Sequence, residues 1–458
     1  MKTSENICGE SKIFKNSTLS SKFGGPISGE IEVPGDKSIS HRALILGSLA
    51  VGNTKIYGLL EGDDVIATAK ALSELGVEIK KHKNEYWTIS GVGIGGFEEP
   101  RQILDLGNAG TAARLLMGAI SGNPITAFLT GDDSLCSRPM GRVTEPLKLM
   151  GAQIFSGSKD KLPIGIRGPD MPIPIEYDLK IPSAQVKSAL LLCGLSAPGE
   201  VIINESIQSR DHTERMLKKF GSNIVTETNH KTGISTCRLI GQNELCPTNI
   251  CVPGDFSSAS FLIAAALMVP DSNLTIKNVG INKLRIGLLD TLVEMGAKIS
   301  LSRTKNDEFE PTADISVSYS ELSGINVPPE RSPMMIDEYP ILAVIASAAK
   351  GITQMRGIRE LRLKESDRIS ATVNLLRASD IVVDEYEDGL AVHGNNKLLK
   401  GGSLIPTLLD HRIGMAAIIL GLSSKSGISI DDSAPISTSF PGFVDIMKKI
   451  GADIFSRQ

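Results

Sequence analysis

Seven cations recur where apolar runs begin: Lys37, Arg42, Arg138, Arg210, Lys364, Arg368 and Arg412. Two or three carboxylates accompany them, Asp337, Glu365 and Asp255. A helix start offers free N–H groups and the positive end of the dipole, so a cation placed there adds to a site already suited to an anion. Such a set suits a pair of substrates bearing several phosphates and carboxylates, with acid/base residues among the cations. The most concentrated stretch is Pro34-Gly35-Asp36-Lys37-Ser38-Ile39-Ser40-His41-Arg42. Pro-Gly ends a strand-like run over 30–33, and Ser38 or Ser40 is expected to cap the helix that follows. The plainer reading is an ordinary strand–turn–helix junction with two solvated cations.

Other stretches repeat the pattern. Leu106 to Arg114 is a Gly-rich turn entering a helix, where Gly107 and Gly110 let the backbone approach a ligand closely. Ser137-Arg138-Pro139-Met140 sets an arginine before a proline-initiated helix, and Ser183-Ala184-Gln185-Val186-Lys187-Ser188 sets small polar groups at another helix start. Arg210 opens a third. Alone, each is more often a cap or a surface ion pair than a ligand contact. In Lys364-Glu365-Ser366-Asp367-Arg368, read as helix, Lys364 and Arg368 are like charges at i,i+4, which costs about 0.2–0.5 kcal/mol unless an anion lies between them. Asp337 opens an apolar helix, so its carboxylate is not expected simply on the surface. Gly91 to Gly96 matches G-x-G-x-x-G, but no buried helix follows, and a hairpin loop is expected. His411, in Asp410-His411-Arg412, has no nucleophile nearby in sequence and reads as structural or helix-capping.

The elements that must position these residues form a repeat of about 75 residues. Its marker is a helix stop followed by a strand: Gly76, Gly151, Gly221, Gly296 and Gly451 end five amphipathic helices, and Ala378 stands in a degenerate sixth. Ahead of each lies an almost wholly apolar helix, roughly 39–50, 111–121, 185–196, 257–268, 339–349 and 411–423, which must be buried. The unit is β-α-β-α-β-β, present six times. The expected fold is α/β, with two domains of three units each, buried helices inside and sheets outside. Val-Pro-Gly-Asp occurs at both 33–36 and 252–255, which implies two chain crossings side by side. The expected domains are 1–35 with 252–458, and 36–251, joined by a double hinge near 33–37 and 249–254. Residues 1–24 are polar and are expected to form a loose leader. A cleft between two such domains is a natural ligand site.

Composition narrows the classes. Lys plus Arg is 48 and Asp plus Glu is 52, a net charge of −4, so no global field favours nucleic acid or anionic membranes. The six cysteines are scattered without a C-x-x-C pair, which argues for reduced thiols in a cytoplasmic protein and against a zinc site. No signal peptide and no membrane span is expected. No Walker lysine motif, metal cluster or nucleophile elbow is present, and neither a metal nor a cofactor is expected.

Taken together, eight stretches resemble the 5-enolpyruvylshikimate-3-phosphate synthase family, in its second bacterial class. They are 34–42, 107–112, 138–142, 183–188, 210–214, 336–340, 364–368 and 410–412, in order within a match from about 26 to 455. The resemblance implies an inside-out α/β barrel of two domains that close over the substrates. It implies a transferase of the shikimate pathway, moving the enolpyruvyl group of phosphoenolpyruvate to the 5-hydroxyl of shikimate 3-phosphate with release of phosphate. Asp337 would be the base at the hydroxyl, and Glu365 with Lys37 would move protons on the phosphoenolpyruvate side. Lys37, Gly110, Arg138, Gln185, Arg368 and Arg412 would hold phosphoenolpyruvate. Lys37, Ser38, Arg42, Ser183, Ala184, Gln185, Arg210, Asp337 and Lys364 would hold shikimate 3-phosphate. A cytoplasmic monomer without nucleic-acid or membrane partners is expected. Gly110 keeps the small residue whose replacement by alanine is associated with glyphosate tolerance in the family, so glyphosate is expected to compete with phosphoenolpyruvate.

There are departures. Thr438 stands where some relatives have lysine, and Gly414 and Ala378 replace a more usual Ala and Gly. The nearest rival is the sister enolpyruvyl transferase acting on a UDP-sugar. It would show Ala-Lys-Asn at 36–38 and a loop cysteine, for which Cys136 is the candidate. A scaffolding protein that kept the fold would be expected to have lost Asp337 or Glu365, and both are present.

Overall fold

The computed structural model describes residues 18–83, 86–157, 159–306, 309–395 and 399–456. The amphipathic helices stop as their sequences require. Gly76, Gly151, Gly221, Gly296 and Gly451 all adopt positive φ, between 81° and 102°. At the degenerate junction Ala378 stays right-handed, the helix Arg368–Arg377 ends on it, and Asp380 takes the left-handed turn at φ 60°. Asp tolerates that conformation better than Ala does.

The six apolar runs are helices: Lys37–Leu49, Gly110–Ser121, Ala184–Gly194, Phe256–Met268, Tyr339–Ser347 and His411–Gly421. In Phe256–Met268 every residue is buried, as apolar character on all faces demands. Around these helices lie six four-stranded sheets of one design. The second sheet shows it: Leu104–Asp105 runs parallel to Thr126–Thr130, which pairs antiparallel with Ile164–Arg167, itself antiparallel to Gln153–Ser156. The parallel pair is the β-α-β crossover around a buried helix, and the antiparallel pair is the hairpin after the amphipathic helix.

Two sheets trade strands. Ser28–Glu32, just before helix Lys37–Leu49, pairs with Asn273–Gly280 in the fourth sheet. Asn249–Cys251, just before helix Phe256–Met268, pairs with Val51–Tyr57 in the first. The crossings lie side by side, with Asp36 N donating to Pro253 O and Asp255 N donating to Pro34 O, both at 2.8 Å. Gly35 makes that approach possible, because a Cβ there would collide with the carbonyl of Gly58. The apolar residues fall into two cores, one built from 39–252 and the other from 19–33 with 256–454. Phe309, from the second half, packs in the first half's core.

Several expectations need correction. Residues 1–17 lie outside the described residues, but Leu19–Lys22 is not part of a loose leader. It is a strand between Ile428–Ile430 and Asp453–Ser456, filling the place that a hairpin strand fills in the other sheets. Its burial pattern explains this, since Leu19, Ser20 and Ser21 are buried while Lys22 is exposed. Gly91 to Gly96 is not a hairpin loop. The strand Tyr86–Val92 ends and a turn, Gly96 N to Gly93 O, leads the chain out towards the next unit. The helix after Arg138 begins at Gly141, not at Pro139.

Candidate active site

One cleft of about 960 Å³ lies between the halves. All of the residues expected to bind the substrates or to move protons line it: Lys37, Ser38, Arg42, Gly110, Arg138, Ser183, Ala184, Gln185 and Arg210 from the first half, and Asp337, Lys364, Glu365, Arg368 and Arg412 from the second; Gly107, offered with Gly110, does not. The starts of the buried helices deliver Lys37, Ser38, Gly110, Ala184, Gln185 and Arg412, while Arg138, Arg210, Lys364, Glu365 and Arg368 come from the turns that lead into the amphipathic helices.

At the first helix start the cap is Asp36, not Ser38 or Ser40; its Oδ1 accepts from Ile39 N at 2.9 Å. Ser40 instead accepts from Leu60 N. With the cap two residues ahead of Ser38, Lys37 and Ser38 become the first helical residues and both reach the cleft. Lys37 Nζ lies 2.9 Å from Asp64 Oδ2, a partner with no motif to announce it. Arg42 is buried and held by three bonds, from Nε to Thr213 Oγ1 (2.6 Å), Nη1 to Ser38 O (2.9 Å) and Nη2 to Ser188 Oγ (2.8 Å). A guanidinium carries five N–H groups, so donors remain for a ligand. Burial pushes Arg42 down to about 10, against the pull of Glu214 and Asp36, and it stays a cation at neutral pH.

On the opposite wall of this half, the helix Gly110–Ser121 starts at Ala109 without a side-chain cap, leaving its first turn open. Arg138 is fixed by Asn108 and by Ser134 Oγ (3.1 Å) and reaches across to Glu365 at 3.7 Å. Gln185 is clamped between Arg114 Nη1 (3.0 Å) and Thr111 Oγ1 (2.9 Å). Arg114, at the end of the Gly-rich turn and without a sequence signal of its own, is pushed down to about 10 by burial and by Arg138 and Arg142.

Asp337 is the meeting point of the second half. Arg210 Nη2 lies 2.7 Å from its Oδ2, Arg368 Nη1 3.4 Å and Lys364 Nζ 3.9 Å from its Oδ1, and Arg412 Nη1 donates to its main-chain oxygen at 2.9 Å. Burial alone would raise its pKa, but Arg210, Lys364, Arg412 and Arg368 together hold it well below the usual carboxylate range. Glu365 behaves alike. Burial opposes ionisation, while Arg368 at 2.6 Å and Arg138 hold it well below its ordinary value.

Lys364 and Arg368 do not share a helix. A 3₁₀ turn, Arg359–Leu363, ends at Lys364 in an extended conformation, and the helix begins at Arg368 behind an Asp367 cap. The i,i+4 repulsion is therefore absent, and the anion between the two cations is Asp337 itself. Arg368 is anchored from behind by Asp410, Nε to Oδ2 at 2.8 Å. Asp410, not His411, caps its helix. His411 lines the cleft as a neutral imidazole, its pKa driven well below the ordinary value by burial and by Lys37 and Arg412.

Sequence reasoning passed over Arg285 and Glu338, which pair at 2.9 Å behind Asp337. Asp255, the third carboxylate of the set, caps the helix Phe256–Met268 at the edge of the same cleft. Thr438 turns its hydroxyl onto Pro435 O (2.8 Å) and is not among the lining residues. Nor is Cys136, whose Sγ donates to Gly131 O at 3.3 Å. Among the described residues, no group of three or more His, Cys, Asp or Glu side chains is placed to hold a metal ion, and no helix is long and apolar enough to cross a membrane.

Comparison with known proteins gives a consistent result. Residues 22–447 match the family model of EPSP synthase (3-phosphoshikimate 1-carboxyvinyltransferase). A curated 3-phosphoshikimate 1-carboxyvinyltransferase of Rhodospirillum rubrum is 52% identical over 433 residues, covering 94% of this chain and 96% of its own. One of Cereibacter sphaeroides is 49% identical over 436 residues, covering 95% and 97%. A solved EPSP synthase of Acinetobacter baumannii superposes with a TM-score of 0.84 at 39% identity, covering 96% of this chain and 100% of its own.

Proposed function

We infer the reaction from one premise: the chain belongs to the EPSP synthase family. It is a transferase of aromatic amino-acid biosynthesis, moving the enolpyruvyl group of phosphoenolpyruvate to the 5-hydroxyl of shikimate 3-phosphate. The observation that carries this reading is the cleft, where cations from both halves surround two ionised carboxylates.

The roles proposed for individual residues are those that the family resemblance implies, and their common place in the cleft supports them. Lys37, Ser38, Arg42, Ser183, Ala184, Gln185, Arg210, Asp337 and Lys364 bind shikimate 3-phosphate. Lys37, Gly110, Arg138, Gln185, Arg368 and Arg412 bind phosphoenolpyruvate. In the addition step the 5-hydroxyl oxygen bonds to C2 of phosphoenolpyruvate, Asp337 takes the hydroxyl proton, and C3 gains a proton. Because Arg368 and Arg138 keep Glu365 ionised, Lys37 is the better donor to C3 and Glu365 the better acceptor when a C3 proton leaves again. Expulsion of phosphate then restores the double bond. Preorganised cations stabilise the charge on the tetrahedral intermediate without reorganising at that moment.

Two domains, 1–35 with 252–458 and 36–251, are proposed to hinge at the paired crossings and close over the ligands. The two cores and the traded strands support that division. A cytoplasmic monomer fits the unpaired thiols of Cys136, Cys193, Cys237, Cys246 and Cys251 and a cleft built from one chain. Mixing the protein with shikimate 3-phosphate and phosphoenolpyruvate should release phosphate. Release with UDP-N-acetylglucosamine in place of shikimate 3-phosphate, and not otherwise, would overturn the assignment.

A further inference from the structure

We propose that Glu338 is a positioning residue that sets the guanidinium of Arg412 and, through it, the seat of phosphoenolpyruvate. The inference rests on the reading of Arg412 given above. Ile336–Glu338 is a single 3₁₀ turn, in which successive side chains diverge by about 120°. Asp337 therefore reaches the cleft while Glu338 turns inward, where it has no exposed surface.

Around Glu338 the bonds close on themselves. Ser257 Oγ donates to Glu338 Oε1 at 2.6 Å, and Arg285 Nη1 donates to Oε2 at 2.9 Å. Arg412 Nη1 lies 3.5 Å from Oε1, and Arg412 Nη2 donates to Ser257 Oγ at 3.0 Å. Arg285 also donates to Ser257 Oγ. Ser257 thus gives its one proton to Glu338 and uses its lone pairs for both arginines, which exhausts a hydroxyl. The same Arg412 donates to the main-chain oxygen of Asp337. Base and arginine are fixed to one turn.

A buried carboxylate between two arginines is weak as a stability device, since desolvation offsets the attraction. A satisfied polar network does impose one geometry on its members. The contacts hold the plane of the Arg412 guanidinium and leave N–H donors for a ligand carboxylate or phosphate. Glu338 also separates Arg412 from the like charge of Arg285.

Glu338→Gln keeps the volume but removes the charge and one acceptor oxygen, and Ser257→Ala removes the shared hydroxyl. The expected result is a protein that melts below the parent, since two buried arginines lose their counter-charge, but that binds shikimate 3-phosphate as the parent does. Its KM for phosphoenolpyruvate should rise about tenfold to a hundredfold, the worth of a bond to a charged group. Ser257→Ala should move the same constant in the same direction, and it carries the test should Glu338→Gln fail to fold. An unchanged KM for phosphoenolpyruvate overturns the proposal. So does an equal loss of affinity for both substrates. Arg412→Ala separates the two layers: if it leaves that KM unchanged, the reading of Arg412 fails. If Arg412→Ala raises it while the Glu338 and Ser257 variants do not, the positioning role alone fails.

Discussion

Arg210 Nη2 lies 2.7 Å from Asp337 Oδ2, an ion pair between residues 127 apart in sequence that joins the two halves across the cleft. A carboxylate so held is ionised and ready to accept a proton, but its lone pairs face cations. A substrate phosphate that draws Arg210 away would free Asp337 for the hydroxyl proton. Ligand binding and activation of the base would then be one event.

The pair makes a prediction about pH. Asp337 is held below the usual carboxylate range, so its ionisation favours the folded state above its unfolded pKa near ~3.9, and this is lost as pH falls through the depressed folded value. Arg210→Ala should raise Asp337 towards the ordinary range. In a pH–rate profile the acid limb of kcat/KM should move to higher pH in the variant; a limb that stays in place would exclude Asp337 as its source.

Asp337→Asn keeps the shape of the side chain and removes its basicity. Turnover should fall by roughly 10²–10⁴, the usual worth of a positioned acid/base group, while shikimate 3-phosphate binds measurably in calorimetry. Turnover within a factor of a few of the parent would assign the base elsewhere.

Gly110 has no room to spare. A Cβ there would sit 2.8 Å from Arg138 Nη1 and 3.1 Å from Arg114 Nη1, so Gly110→Ala must push two guanidinium groups. The variant should raise the KM for phosphoenolpyruvate and weaken inhibition by glyphosate more strongly still. Parent turnover unaffected by a high excess of glyphosate would refute the underlying expectation of competition.

At the double crossing, burial and the neighbouring Asp255 push Asp36 up to about 6. Here the folded state binds the proton more tightly than the unfolded chain, so this group's contribution is full below pH ~3.9 and is lost as pH rises towards 6. Asp36→Asn preserves an N-cap and should remove that part of the pH dependence. Denaturant midpoints between pH 4 and 7 should fall with pH in the parent and run flatter in the variant.

Lys187 is buried against Glu205 at 2.6 Å and Glu214 at 2.7 Å. Burial disfavours its charge, but the two carboxylates outweigh that and raise its pKa. Lys187→Met leaves two buried carboxylates without their cation and should cost about 3–5 kcal/mol, read as a lower melting temperature. A melting temperature equal to the parent's would show that the carboxylates find protons or other partners at little cost.

The sequence alone was enough for the frame. Six apolar runs too greasy to face water, six helix stops and two Val-Pro-Gly-Asp crossings are local signals, and the folded chain shows the helices and traded strands they imply. The charged residues at helix starts were legible for the same reason, and all of them line one cleft. Tertiary structure decided the partners. That Asp36 rather than Ser38 caps the first helix, and that Lys37 pairs with Asp64, depends on rotamers and distances that adjacent residue types do not specify. Lys364 lies outside the helix expected to hold both it and Arg368, because the Asp367 cap starts that helix at Arg368, and both cations meet Asp337, which is distant in the chain. Glu338 carried no signal beyond standing next to Asp337, for its role lies in contacts with Ser257, Arg285 and Arg412. Burial and periodicity are properties of a segment; an ion pair in a low-dielectric cleft is a property of the whole fold.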